Sequence, residues 1–286
     1  MNNQSIFQEE NEQQRLAVQN RLLHPYEAPI LEDIASGRSG LSVLDIGCNN
    51  GRKTADLFSS PAFSRVIGLE YSADLVEKAR STFGSEKFSF YPCNVESPDF
   101  SGRLHRLMDA HGISGFDVIY LSFLLMHLED PCGLLIRLRP FLAEGGHLVV
   151  VEADDSASAL LPKGGDLLAE FLSILKEDPY SGDRTVGHSL PQLLSRCGYE
   201  DIAIRHDAVT ASGEERGKKR DIFTTFFSYL PEDVEILLQQ QSGRCQYQQW
   251  SRWLQEHYAA LESLILDGDS TISMGMRILS CRGGTL

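Results

Sequence analysis

No stretch of the 286-residue chain approaches the roughly 18 uninterrupted apolar residues that a bilayer-spanning helix needs. The opening segment, MNNQSIFQEENEQQR, is polar and acidic and lacks the apolar centre of a signal peptide. Neither membrane nor export is therefore expected, and the expected compartment is the cytoplasm. The six cysteines (Cys48, Cys93, Cys132, Cys197, Cys245 and Cys281) lie far apart, with no C-x-x-C and no His/Cys group at zinc spacing. That spacing argues against a disulfide framework and against a bound metal. Basic residues are also few: 26 against 40 acidic ones give a net charge of −14, which repels a polyanionic partner such as nucleic acid. ERGKKR, Glu215 to Arg220, is the one basic run, and its plain reading is a solvated loop.

What is present is 42% hydrophobic residues, enough for a continuous core, and neither repeats nor low-complexity tracts. From about residue 42 to 153, strand-like and helix-like segments alternate. SVLDI leads to the helical RKTADLFSS, and RVIGLE to SADLVEKARSTF with Ser72 as N-cap. FSFYPC then leads to SGRLHRLMDAH, FDVIYL to CGLLIRLRPFLAEGG with Gly145 and Gly146 as its C-cap, and HLVVVEA closes the series. These strands are apolar almost throughout, a pattern of burial on both faces, so they predict a doubly wound, mostly parallel α/β sheet.

Downstream, SLPQLLSRCG reads as a short helix, DIAIRHDAV as a strand and ISMGMRILSC as a last strand, an antiparallel pair at the sheet edge. The expected organisation is a helical leader over residues 1–40 and one domain over 41–286. Residues between about 210 and 271 are too many for a bare loop and predict a helical insertion. Within it Tyr247, Trp250, Leu254, Tyr258, Leu261 and Ile265 share one helix face. That stripe packs on the core, lids the site or forms a homodimer contact. The leader reads as a helix broken by Pro25 and followed by another.

The most informative stretch is SVLDIGCNNGRKT, Ser42 to Thr54. A glycine turn after the first strand of such a sheet lets backbone approach a ligand. The dinucleotide pattern G-x-G-x-x-G is not met, because Asn49 and Thr54 stand at the second and third glycine positions. Asp45, two residues before Gly47, repels a pyrophosphate and attracts a cationic group. Glu70 ends the second strand, where carboxylates accept from ribose hydroxyls. A ligand that carries a nucleoside, no phosphate and a positive far end is S-adenosylmethionine.

VLDIGCNNG, VIGLEYS, FYPCNVES, FDVIYLSFLLMHLEDP and LRPFLAEGGHLVVVEAD, in this order from Ser42 to Asp155, resemble the successive motifs of the class I S-adenosylmethionine-dependent methyltransferases. DRTVGHSLPQLLSRCGYEDI is similar to a later segment of their small-molecule branch. The resemblance implies a Rossmann-like seven-stranded sheet with an antiparallel last strand. It also implies a site in which Asp45, Gly47, Cys48, Asn49 and Gly51 hold the methionine end and Glu70 the ribose. Tyr71 would then pack on the adenine, Asn94 and Val95 would meet its edge, and Leu121 and Ser122 would line the sulfonium and methyl. Related enzymes cover the cofactor with such a leader, and Tyr26 is then a candidate for the methionine end. Asn49 departs from the usual glycine and Asn94 from a frequent aspartate. Asn tolerates positive φ, and its amide oxygen accepts the adenine amino proton, so the departures bear on affinity and not on fold.

Methyl transfer from a sulfonium needs alignment and exclusion of water rather than a covalent intermediate. A base is needed only for a hydroxyl or ammonium acceptor, and His127 is the first candidate and Glu152 the second. LSFL after the fourth strand lacks the Asn/Asp-Pro-Pro-aromatic motif that holds a flipped base, so a small-molecule acceptor at O, N or C is expected. The rivals are a protein or tRNA methyltransferase, another group transfer on the same fold, and an inactive cofactor-binding scaffold. Tyr180, His188 and Asp154 lie where a substrate would approach, and the first two are expected on the surface.

Overall fold

The computed structural model describes residues 10–241 and 243–284, so the first nine residues of the expected leader lie outside it. Along the chain run α1 (Glu10–Ala35), β1 (Leu41–Ile46), α2 (Arg52–Leu57), β2 (Phe63–Glu70), α3 (Ala73–Phe83) and β3 (Phe88–Pro92). They are followed by α4 (Phe100–His111), β4 (Phe116–Ser122), α5 (Pro131–Leu138), β5 (Leu142–Ala153), β6 (Ala159–Leu161), α6 (Gly165–Glu177) and α7 (Val186–Arg196). β7 (Tyr199–Ser212), α8 (Arg216–Phe226), α9 (Leu230–Gln240), α10 (Cys245–Leu266) and β8 (Thr271–Gly283) complete the order. No helix among the described residues is long and apolar enough to cross a membrane. The chain divides into two compact units, one of His24–Ala153, Val186–His206 and the residues from Arg277. The other holds the residues up to Leu23, Asp154–Thr185 and Asp207–Met276.

The α/β unit holds strands in the order β3-β2-β1-β4-β5-β8, with β7 on β8. The four pairs from β3 to β5 are parallel. β1 is buried at all six positions, as its uninterrupted apolar run requires for a central strand. Leu44, Ile46, Ile67, Ile119, Leu121, Leu148 and Val150 form the centre of the core, closed by Phe100, Leu104, Leu134, Leu138, Leu190 and Leu194 from the helices. Ser72 does cap α3, its Oγ accepting from Leu75 N. β1 and β4 lie in register with Asp45 opposite Tyr120 and Ile46 opposite Leu121, which brings the carboxyl ends of the two central strands together. That edge is where ligands of doubly wound sheets bind.

The second unit is mainly helical. Here β6 pairs antiparallel with the start of β8, Leu161 opposite Thr271. The stripe on α10 is core of this unit: Tyr247, Trp250, Leu261 and Ile265 are buried, and Tyr258 donates to Phe227 O. Phe171, Phe223 and Phe227 pack on one another beside it. Lys219, from the one basic run, is fully buried with its Nζ on Asp267 O, Ser270 O and Ser270 Oγ. Two arginines are also interior. Arg184 forks onto Asp155 at 2.6 and 2.8 Å and donates to Tyr229 Oη, while Arg15 forks onto Glu12.

Among the described residues the expected sheet is extended by one short strand, ALL at Ala159–Leu161, which is too short to display a period. Other local expectations are corrected. α1 continues through Pro25 and Pro29. The interior proline costs about 3 kcal/mol, which burial of Leu22, Leu23, Ile30, Leu31 and Ile34 offsets. The helix after β4 stops at Leu138, before Pro140, and Gly145 and Gly146 lie inside β5. There the pairing slips between Phe116 and Val118, and a side chain on Gly146 would meet Phe116 O at 2.7 Å. Tyr180 is buried, not exposed, with its hydroxyl on Gln240; His188 is exposed.

Candidate active site

β1 ends at Ile46, and the chain then turns through three left-handed residues: Gly47 at φ +83°, Asn49 at +49° and Gly51 at +77°. Asn49 takes up the conformation that asparagine tolerates better than other side chains. At Gly51 a Cβ would lie 2.9 Å from both Ala79 and the Phe90 ring, so packing as well as backbone demands glycine. Cys48 points inward among Val76, Ala79 and Phe90, and burial pushes its thiol well up. Only the backbone of Cys48 is left to face a ligand.

The backbone N–H groups of this turn are spent internally. Gly47 N and Cys48 N both donate to Leu69 O, and Gly51 N donates to Cys48 O. Asn49 N donates to Glu70 Oε2, Asn50 N to Asn49 Oδ1 and Arg52 N to Asn50 Oδ1. A phosphate-binding glycine loop directs such donors at its anion. This one offers none from Gly47 to Arg52.

Acceptors dominate instead. Asp45, only 4% exposed, accepts from Thr54 Oγ1 at 2.5 Å. Burial raises its pKa to about 6; the Thr54 bond and Lys53 oppose the rise, and Glu27 and Glu70 add to it. Glu70, half-buried at the end of β2, is clamped by Asn49 N on one oxygen and Ser72 N on the other, both at 3.0 Å. Each carboxylate oxygen keeps a second lone pair for a hydroxyl. Tyr71, next in sequence, is 53% exposed and presents a free aromatic face.

Across the strand ends Asn94 is exposed, and its Oδ1 accepts from Glu96 N. Its oxygen therefore has one lone pair left for adenine, beside two amide donors. Val95 is buried, and Arg137 from α5 ties the loop down by donating to Val95 O and Ser97 O. Leu121 is fully buried, and Ser122 Oγ accepts from Lys53 Nζ at 2.8 Å. His127 is exposed at the end of the 3₁₀ turn Leu125–His127. Glu152 is buried at the end of β5, and its Oε1 accepts from Leu124 N and Leu125 N, so it holds the segment that carries His127. Asp154, in the helical unit, is buried and accepts from Ser156.

Glu27 and Lys53, which carry no signal in the sequence, stand beside these residues. Glu27 on α1 is fully buried, and its Oε1 accepts from Lys53 Nζ at 2.7 Å and from Tyr120 Oη at 2.9 Å. Tyr26 beside it packs edge-on against His206. Carboxylates at two strand ends and a third on α1, an open aromatic face and spent N–H groups are the wrong donor set for a pyrophosphate. They fit the ammonium, ribose and adenine of S-adenosylmethionine.

The model of the methyltransferase domain matches residues 14–204, more than half of the chain. An uncharacterized methyltransferase of Schizosaccharomyces pombe is 28% identical over 122 residues, 42% of this chain and 43% of the relative. The ubiquinone biosynthesis O-methyltransferase of Glaesserella parasuis is 26% identical over 186 residues, 64% and 74% of the two chains. A tRNA U34 carboxymethyltransferase of Vibrio atlanticus is 27% identical over 188 residues, 61% and 50%. The chain thus spans about half the length of two of these three relatives. A putative methyltransferase from Bacillus halodurans shares the fold, with a TM-score of 0.51 and 18% identity over 91% of this chain and 99% of its own. Site geometry and the family match agree, and the chain belongs to the methyltransferase-domain family, the class I enzymes that use S-adenosylmethionine.

Proposed function

We propose that the protein transfers the methyl group of S-adenosylmethionine to a small-molecule acceptor at oxygen, nitrogen or carbon. The observation that carries this reading is the glycine turn whose six N–H groups are all spent, set between Asp45 and Glu70. Such a turn disfavours phosphates and favours a cationic nucleoside. When bound, S-adenosylmethionine supplies a methyl group made electrophilic by the sulfonium. Glu70 would hold the ribose hydroxyls on the lone pairs that Asn49 N and Ser72 N leave open. Tyr71 would cover one face of the adenine, and the loop tied down by Arg137 would meet its edge. Asp45, ionised above about pH 6, would favour the positive end.

The chain's task is to fix direction and exclude water, which is worth several kcal/mol without any covalent intermediate. For a hydroxyl or ammonium acceptor, His127 is the base this arrangement offers, since it is exposed on the turn after β4. Glu152, with one oxygen committed to Leu124 N and Leu125 N, serves as the strut of that turn.

Support for a small acceptor comes from the net charge of −14 and from Lys219, whose burial breaks the one basic run. A polyanionic tRNA would need that run on the surface. The test is release of S-adenosylhomocysteine on incubation with a low-molecular-mass metabolite extract or with bulk tRNA. Release with the extract alone is expected. Release with tRNA alone would overturn the small-molecule reading, and release with neither would favour a scaffold.

A further inference from the structure

The proposed site is lined by acids, yet S-adenosylmethionine ends in an amino acid whose carboxylate those acids repel. Asp45, Glu70 and Glu27 all stand near the carboxyl ends of the central strands. A cation is required for that carboxylate, and two basic residues follow Gly51 directly. Arg52 is exposed, and its guanidinium lies over the Phe83 ring, 5.8 Å from its centre, so it is committed to α3.

Lys53 is held differently. Its side chain is 15% exposed, with Nζ 2.7 Å from Glu27 Oε1, 2.8 Å from Ser122 Oγ and 5.6 Å from the centre of the Tyr120 ring. An ammonium has three N–H donors, and these two bonds use two. Ser122 is the last residue of β4, so the bond fixes the ammonium at the strand edge where the ligand must lie.

The arrangement is more costly than packing demands. Glu27 is fully buried and its Oε2 has no hydrogen-bond partner, and a buried carboxylate left half-satisfied is expensive. A pair of apolar side chains would fill the same space at lower cost. What the acid achieves is a fixed ammonium: Tyr120 Oη steadies Glu27 Oε1, and Glu27 in turn steadies Lys53.

We propose that Lys53 receives the carboxylate of the methionine end of S-adenosylmethionine, with Glu27 as the positioning residue that aims its ammonium. The assignment rests on the methyltransferase reading above. It divides the methionine end between a cation on α2 and the acid Asp45 on β1, one for each charge of the zwitterion.

Calorimetric titration of the full chain with S-adenosylmethionine and with decarboxylated S-adenosylmethionine tests it. Lys53→Met is expected to weaken S-adenosylmethionine roughly tenfold to a hundredfold, the worth of a charge-assisted hydrogen bond. Decarboxylated S-adenosylmethionine, which keeps the nucleoside, sulfonium and amine, should bind wild type and variant within about threefold of each other. Lys53→Arg should retain most of the discrimination, and Glu27→Gln should lose part of it. Because Lys53→Met leaves Glu27 uncompensated, the double variant Lys53→Met/Glu27→Gln repeats the comparison with a neutral pair. Equal weakening of both ligands, or of neither, in a variant whose circular dichroism matches the wild type would overturn the assignment. A wild type that binds neither ligand would instead overturn the methyltransferase reading, and the inference with it.

Discussion

Thr54 Oγ1 donates to Asp45 Oδ2 at 2.5 Å in the buried wall behind the glycine turn, so the acid before the turn is held by a hydroxyl from the first helix. The bond keeps the carboxylate at the end of β1, and burial leaves it with a pKa of about 6.

The first expectation follows from that raised value. Between the unfolded value near 3.9 and about 6, the folded protein binds more protons than the unfolded chain, so this group's contribution to stability falls as pH rises through that window. The fall amounts to about 3 kcal/mol, since each unit is worth about 1.36 kcal/mol. Asp45→Asn should remove it, flattening the difference in urea stability between about pH 4.5 and pH 7.5. Ligand affinity should move the other way: S-adenosylmethionine should bind the wild type more tightly as pH rises through about 6. The variant should bind weakly at both ends. A variant with wild-type affinity at neutral pH contradicts the role given to Asp45.

Glu70→Gln should weaken S-adenosylhomocysteine by roughly tenfold to a hundredfold. A neutral amide has one acceptor oxygen, so either Asn49 N or Ser72 N loses its partner and the ribose loses a charged acceptor. Calorimetry gives the affinity and thermal unfolding checks the fold. Affinity within about twofold of the wild type would remove Glu70 from the site.

Gly51→Ala should cost about 1–3 kcal/mol, because a methyl would press on Ala79 and the Phe90 ring at a positive φ. Urea unfolding measures it, and a neutral substitution would mean that the turn relaxes where the packing says it cannot.

Asp233, in the helical unit, carries a pKa well above the carboxylate range, pushed first by burial and then by Asp178, to which it is hydrogen-bonded. A raised acid stabilises the fold while protonated, and its contribution declines as the pH rises toward its folded value. Asp233→Asn keeps a neutral donor for Asp178, so the variant should hold its melting temperature between the ordinary carboxylate range and about pH 9, the window in which the wild type loses it. Parallel melting curves against pH would contradict this.

These expectations use residues of unequal visibility in the sequence. β1, β2, β4 and β5 were legible because strands buried on both faces are apolar throughout, and Ser72 because an N-cap is a local signal. Asp45 and Glu70 were legible because each ends a strand beside the glycine turn. Glu27 was not, because its partner Lys53 lies 26 residues away and nothing local marks a carboxylate that α1 carries to the strand ends. Lys219 and Tyr180 were misplaced for a related reason: a charge run and a loop tyrosine look solvated until distant carbonyls and Gln240 supply their partners. The strut role of Glu152 depends on two backbone N–H groups that carry no residue identity at all.

The most direct test is a calorimetric titration of the wild type with S-adenosylmethionine and, separately, with a nicotinamide dinucleotide. Acids before and after a turn with no N–H to spare require saturable binding of the sulfonium and none of the pyrophosphate. Heat from the dinucleotide and silence from S-adenosylmethionine would contradict the account.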